Sequence, residues 1–130
     1  MSDDMPIYDK HGRPQYRLCS QVFYDYEGKP RGYLVGEAVY DLRGQHRGYY
    51  RAYVMRDRMG MVCGFAEGAR IDGMELPRVE IPPMPYRILP APPRPADCKP
   101  MEYREGPSRW SMMPLGNMLV LEPGTPVDVS

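Results

Sequence analysis

Four aspartates recur at a fixed interval in the first half of the chain, and carboxylates are ligands that hard cations prefer. Each is followed three residues later by glycine, and successive pairs lie 16 residues apart: Asp9 and Gly12, Asp25 and Gly28, Asp41 and Gly44, Asp57 and Gly60. A calcium site needs about six to eight oxygens at one point, whereas a type I turn favours Asp first and Gly fourth. The spacing therefore favours four capped turns, and we expect no metal site.

Histidine and cysteine, which could ligate a metal or attack a substrate, are few and scattered. His11 and His46 stand at different positions of the 16-residue frame, with no cysteine at zinc-ligand spacing. Cys63 follows the pattern of a buried strand, and Cys19 and Cys98 have no neighbouring histidine that would lower a thiol pKa. G-x-S-x-G, P-loop and G-x-G-x-x-G motifs are absent. We therefore expect neither enzyme activity nor a cofactor.

Tyrosine and arginine are abundant among the polar residues, with 11 tyrosines and 14 arginines against three lysines. This pairing is typical of contact surfaces, although tyrosine is also an ordinary strand residue. Bases can stack on tyrosine while arginine meets phosphate, so single-stranded nucleic acid is an alternative partner. It is not favoured, because ten basic residues face seven acidic ones between Ile7 and Gly68. The best contact candidates on the repeat are Tyr33, Arg47 and Tyr49.

The cellular location follows from charge, cysteine count and hydropathy. The 17 basic and 17 acidic residues cancel, which leaves no global field for an anionic membrane. Three separated cysteines indicate reduced thiols rather than a disulfide framework. The chain begins without a basic and apolar leader, and it contains no apolar run of about 18 residues. We expect a cytoplasmic protein that does not bind membranes.

The elements that must hold the four aspartates are β-hairpins. An apolar column precedes each turn at Ile7, Phe23, Val39 and Met55, and a tyrosine column follows it at Tyr8, Tyr24 and Tyr40. Period-2 alternation places the two columns on opposite faces of a strand. Glycines at 32, 48 and 64 indicate close approach of neighbouring copies or a bulge. Small residues at 20, 36, 52 and 68 mark the reversals, and we expect backbone contacts to close the axis.

The second half differs in composition, because 13 of 16 prolines lie between Pro77 and Pro126. We therefore divide the chain into a repeat domain, residues 1–70, and a Pro-rich extended arm, residues 71–130, with short strands or anchors. The arm is too rich in proline for helix or central strand. Its apolar residues need a surface to cover, either its own domain or a partner. The expected anchors are Tyr86, Ile88, Leu89 and Trp110.

Four copies of apolar-Tyr-Asp-x-x-Gly-x-x-x-Gly-Tyr across residues 6–70 resemble the four-fold β-flower proteins, a family of small bacterial proteins. The resemblance implies an all-β fold in which hairpins radiate about a pseudo-fourfold axis as a small barrel or flower. It brings no catalytic residues. We predict a non-enzymatic protein-interaction or assembly module that docks on a protein partner or on further copies of itself through the arm.

Overall fold

The structure is a computed structural model that describes residues 4–84 and 87–119. Eight strands form one closed antiparallel barrel in which each strand pairs with its neighbours in the chain. They are β1 Met5–Tyr8, β2 Pro14–Cys19, β3 Val22–Tyr24, β4 Pro30–Val35, β5 Ala38–Asp41, β6 His46–Arg51, β7 Val54–Asp57 and β8 Val62–Phe65. A short 3-10 helix, Leu115–Asn117, follows near the end of the described chain. The all-β barrel of four hairpins is thus confirmed.

The Asp-x-x-Gly turns form as their chemistry predicts, and the turn at Asp41 serves as the example. Oδ1 of Asp41 accepts the backbone N–H groups of Arg43 at 2.9 Å and Gln45 at 3.0 Å. Gly44 has φ of +87°, and the strand register shifts between Val39 and Tyr40, as a G1 bulge requires. Asp9, Asp25 and Asp57 make the same pairs of bonds. The aspartates therefore cap turns.

Three of the four small residues mark the reversals between hairpins, as predicted, whereas Gly68 follows the last strand. Ser20, Gly36 and Ala52 all have positive φ, at 51°, 62° and 51°, in the links β2–β3, β4–β5 and β6–β7. Positive φ at the first central residue matches the turns that suit the twist of paired strands. The reversals therefore use backbone geometry that bulky β-branched residues adopt poorly.

The glycine column lies where adjacent hairpins approach one another. A Cβ atom added to Gly32 or Gly48 would overlap the carbonyl oxygen of Tyr40 or Arg56 in the next hairpin. The same atom on Gly64 would lie 2.9 Å from the carbonyl oxygen of Tyr8. Close approach of neighbouring copies, one of the two expected reasons for these glycines, is confirmed.

The barrel axis is filled by side chains, which corrects the expectation that backbone contacts close it. Ile7, Phe23, Val39 and Met55 are fully buried inside the barrel. Leu115, Met118 and Leu119, here called the plug, come from far along the chain and pack in the same core cluster. An eight-stranded barrel has room for interior side chains, and the glycine column provides it, since the plug residues contact Gly64, Gly48 and Gly32 respectively.

The Pro-rich arm encircles its own barrel and meets the four turns in chain order. The backbone N–H of Glu80 donates to the carbonyl of Gly12, and that of Leu89, nine residues later, donates to Gly28. Pro95 and Cys98 then contact Gly44, and Gly106 donates to Gly60. We call residues 80–89, 90–98 and 99–106 the first, second and third legs. Of the two surfaces considered for the arm, it covers its own domain.

Candidate interaction surface

Tyr33 and Tyr49, two of the contact candidates on the repeat, are buried, and both contact the arm of the same chain. Tyr33 is 3% exposed, and its hydroxyl donates to the carbonyl of Pro92 at 2.8 Å. Tyr40 binds the Lys99 carbonyl in the same way at 2.6 Å. The Tyr49 ring packs edge-on against Tyr103, with centroids 5.9 Å apart. A proline-rich segment lacks many N–H donors but keeps its carbonyls, which is why donor-bearing tyrosines bind it.

Arg47, the third contact candidate on the repeat, supports a turn. Its Nη1 lies 3.4 Å from Oδ2 of Asp41, a carboxylate with no exposed surface. Gln15 and Arg31 make the equivalent bond to the aspartates of their own copies. In the fourth copy that position is Cys63, and Ser111 of the arm donates to Asp57 instead, at 2.5 Å. The polar column six residues after the first three aspartates is the signal that sequence reasoning missed.

The expected arm anchors have different environments. Ile88 is half-buried beside Gly28. Leu89 is held through its backbone, while its side chain is 50% exposed. Trp110 forms a parallel bridge with Val62, and its ring lies 6.3 Å from that of Phe65. Tyr86 lies outside the described residues. Ile88 and Trp110 therefore contact the protein's own barrel, whereas about half of Leu89 is left exposed.

Arg56 interrupts the tyrosine column because it fixes the third leg in place. The side chain is 3% exposed, and its Nε donates to the Tyr103 hydroxyl at 2.7 Å. Its Nη1 donates to the carbonyl of Gly60, also at 2.7 Å. Tyrosine offers one donor, whereas arginine offers five in a planar array. Arg56 therefore reaches both the arm and the turn.

The first leg leaves large apolar side chains in water. Ile81 is 93% exposed and Met84 is 88% exposed, and both lie between the backbone bonds to Gly12 and Gly28. A cavity of about 420 Å³ lies beneath, lined by Pro82, Pro83 and Met84 on one side and by residues of the barrel, including Tyr26, on the other. Within residues 4–84 and 87–119, the buried hydroxyl of Tyr26 has no hydrogen-bond partner. We call Ile81, Met84 and Leu89 the apolar surface.

A second cavity, of about 150 Å³, brings a thiol and an imidazole to one place. Its lining includes His11, Cys63 and Trp110. The thiol of Cys63 donates to the carbonyl of Met55 at 3.4 Å, and burial raises its pKa well above the usual range. Since the thiolate is the nucleophile, Cys63 is suited to packing. Among the described residues, no group of three His, Cys, Asp or Glu could hold a metal ion.

No helix of the described chain is long and apolar enough to cross a membrane.

Comparison with protein families identifies a family for most of the chain. The sequence profile of the family described as 4-fold beta flower protein matches residues 5–119. The match extends beyond the repeat, on which the resemblance was based, and includes the arm and the plug. Searches of curated proteins and of solved structures find no match.

Proposed function

Because the chain belongs to the 4-fold beta flower family, whose description names a fold and no activity, we propose its function from its own surface. The protein is a non-enzymatic protein-interaction module that binds a partner through the outer side of its arm. The observation that carries this proposal is the apolar surface, where Ile81 and Met84 lie almost fully exposed on a backbone fixed at both ends.

The apolar surface differs from the rest of the arm. In the second and third legs, Cys98 and Tyr103 turn towards the barrel and pack against Tyr40 and Tyr49. In the first leg, Ile88 is half-buried against the barrel, but Ile81 and Met84 are almost fully exposed. Exposed apolar groups that cluster on a soluble protein mark contact surfaces, and methionine adapts well to varied partners. The first leg is thus suited to burial against another protein.

The nucleic-acid alternative has less support. Stacking of bases requires exposed aromatic faces, and Tyr33, Tyr40 and Tyr49 are each 6% exposed or less. Phosphate binding requires unpaired cations, and Arg31, Arg47 and Arg51 lie within 3.4 Å of carboxylate oxygens. The arm covers the face that this alternative needs.

A cytoplasmic location belongs to the same proposal. Cys19, Cys63 and Cys98 are all free thiols, and the last two are buried. Free cysteines are typical of reducing compartments.

Site-specific photo-crosslinking in the cells that make the protein tests this function. A photoreactive phenylalanine analogue replaces Ile81 or Met84, and the exposed Glu102 of the third leg serves as the control position. We expect discrete adducts from the first leg and none from Glu102. Light scattering of the purified chain separates the two kinds of partner, since a mass of 15.0 kDa indicates another protein and a multiple indicates self-association. Absence of adducts, or the same adducts from Glu102, contradicts the proposal.

A further inference from the structure

Between Val79 and Ala91, the half-buried residues among those that the structure describes are spaced by multiples of three. Val79, Pro82, Ile88 and Ala91 are half-buried, while their described neighbours from 80 to 90 are exposed. Polyproline II has three residues per turn, so one of its three edges would contact a surface at this interval. The interval is therefore the one expected if this part of the arm lies on the barrel as a polyproline II segment with two edges in solvent.

One of the free edges carries a recognition pattern. Arg87, Pro90 and Pro93 are all exposed and lie three residues apart, which places them on one edge. The sequence RILPAPP supplies arginine followed by two prolines at the spacing R-x-x-P-x-x-P. Among the described residues, Arg87 forms no ion pair with a carboxylate. Its charge is thus available to a partner.

The barrel holds this edge in place before any partner arrives. The Leu89 N–H donates to the Gly28 carbonyl at 2.9 Å, and the Tyr33 hydroxyl donates to the Pro92 carbonyl at 2.8 Å. A segment fixed in its bound conformation loses less conformational entropy on binding. The edge is therefore a preorganised ligand.

We propose that Arg87, Pro90 and Pro93 form the ligand for a domain of the SH3 type, with an aromatic-lined groove flanked by carboxylates. Such grooves bind Pro-rich polyproline II segments, and a carboxylate at the end of the groove pairs with the Arg87 guanidinium. The half-buried edge of Ile88 and Ala91 stays on the barrel while the partner contacts the outer edges. This inference rests on the proposed interaction function and names its partner class.

The test is a titration of the full chain into purified SH3 domains that select arginine ahead of the two prolines. Binding is measured by the fluorescence of the tryptophan in the groove of the SH3 domain. We expect saturable binding, and we expect Arg87→Glu and the double variant Pro90→Ala/Pro93→Ala each to weaken it by about tenfold or more, as loss of a main contact does. Arg94→Glu and Pro83→Ala, matched changes at exposed residues off this edge, should leave affinity within about twofold. Circular dichroism establishes that each variant folds.

Two outcomes overturn the inference: no binding to any of these domains, or equal weakening by Arg87→Glu and Arg94→Glu. The crosslinking experiment distinguishes a wrong partner class from a wrong interaction function. If adducts at Met84 persist in Arg87→Glu, the partner class is wrong and the interaction function stands. If wild-type Met84 and Ile81 give no adducts, the function itself fails.

Discussion

At Gly28 a single methyl group decides whether the arm can approach the turn. Gly28 has φ of +85°, and an added Cβ would overlap the carbonyl oxygen of Arg87. Gly73 has φ of +81° with nothing within 4 Å of an added Cβ. We expect Gly73→Ala to lower the free energy of unfolding by about 1 kcal/mol through backbone strain. Gly28→Ala should cost about 3 kcal/mol or more, because it adds a steric clash.

Urea denaturation of both variants measures these costs. Equal destabilisation by Gly28→Ala and Gly73→Ala would mean that the arm does not contact the turn closely enough to exclude a methyl group.

The three thiols should differ sharply in reactivity. Cys63 is 3% exposed and Cys98 is 5% exposed, and burial raises the pKa of both, whereas Cys19 is half-buried at a strand end. Because a raised pKa lowers the thiolate fraction, we expect one fast reaction with Ellman's reagent at pH 8, and two more only in denaturant. Cys19→Ser should remove the fast phase. Two fast thiols in the native protein would contradict the burial of the others.

His46 should make stability depend on pH. Its ring lies between Tyr40 and Tyr49, with centroids 5.6 and 4.8 Å away. Burial, reinforced by the charge of Arg58, lowers its pKa in the folded state. The unfolded state therefore binds the proton more tightly, and stability falls as pH drops through about 6.5.

Thermal denaturation across this range should show a flatter profile for His46→Gln. His11→Gln, at an exposed histidine, is the control and should follow the wild type. A profile unchanged by His46→Gln would contradict the assignment.

Local chemistry explains which residues could be predicted from sequence. The Asp9 and Asp41 turns involve bonds between residues at most four apart, so their side chains and spacing suffice. Tyr33 is buried by a residue 59 positions away. A pattern typical of a contact surface was present, but its partner was the distant part of the same chain.

At the scale of elements, the plug makes the barrel and arm interdependent. Met118 is fully buried against Gly48, whereas Met112 is fully exposed. We expect Met118→Ala to cost about 2–5 kcal/mol, through lost burial and the cavity that remains. Met112→Ala should change stability by less than about 0.5 kcal/mol. Chemical denaturation compares the two, and similar values would show that the plug contributes little.

The glycine column shows why sequence alone fell short at this scale. Absence of side chains at Gly32, Gly48 and Gly64 indicated crowding, and neighbouring backbones do crowd there. It could not indicate which distant side chains share the space. In the first copy, Tyr16 stands where the other copies have glycine, and it binds the plug segment directly. Its hydroxyl donates to the Gly116 carbonyl and accepts the Leu119 N–H. Burial raises its pKa to about 12.

For the whole molecule, we expect barrel and arm to stay together after the link between them is cut. A specific protease site inserted between Asp72 and Gly73 lies in an exposed segment. Turn contacts and the plug should hold the two pieces, because they bury the core jointly. Gel filtration should give one native peak that separates into two bands only under denaturing conditions. Two native peaks would contradict a shared core.

The architecture of the barrel could be predicted from the sequence, because four copies in register left few other ways to bury the apolar column. The path of the arm could not be predicted from the sequence. Its proline content specified an extended conformation, and only the three-dimensional placement of Gly12, Gly28, Gly44 and Gly60 specifies where that extended chain lies.

The position of the plug in the chain has a consequence for synthesis. Residues 5–65 complete every strand, yet Leu115, Met118 and Leu119 leave the ribosome about fifty residues later. A nascent chain arrested in the arm before Leu115 therefore has all its hairpins but lacks the plug. Such fragments would expose apolar surface to chaperones and proteases, so that the fold distinguishes a finished translation product from an interrupted one.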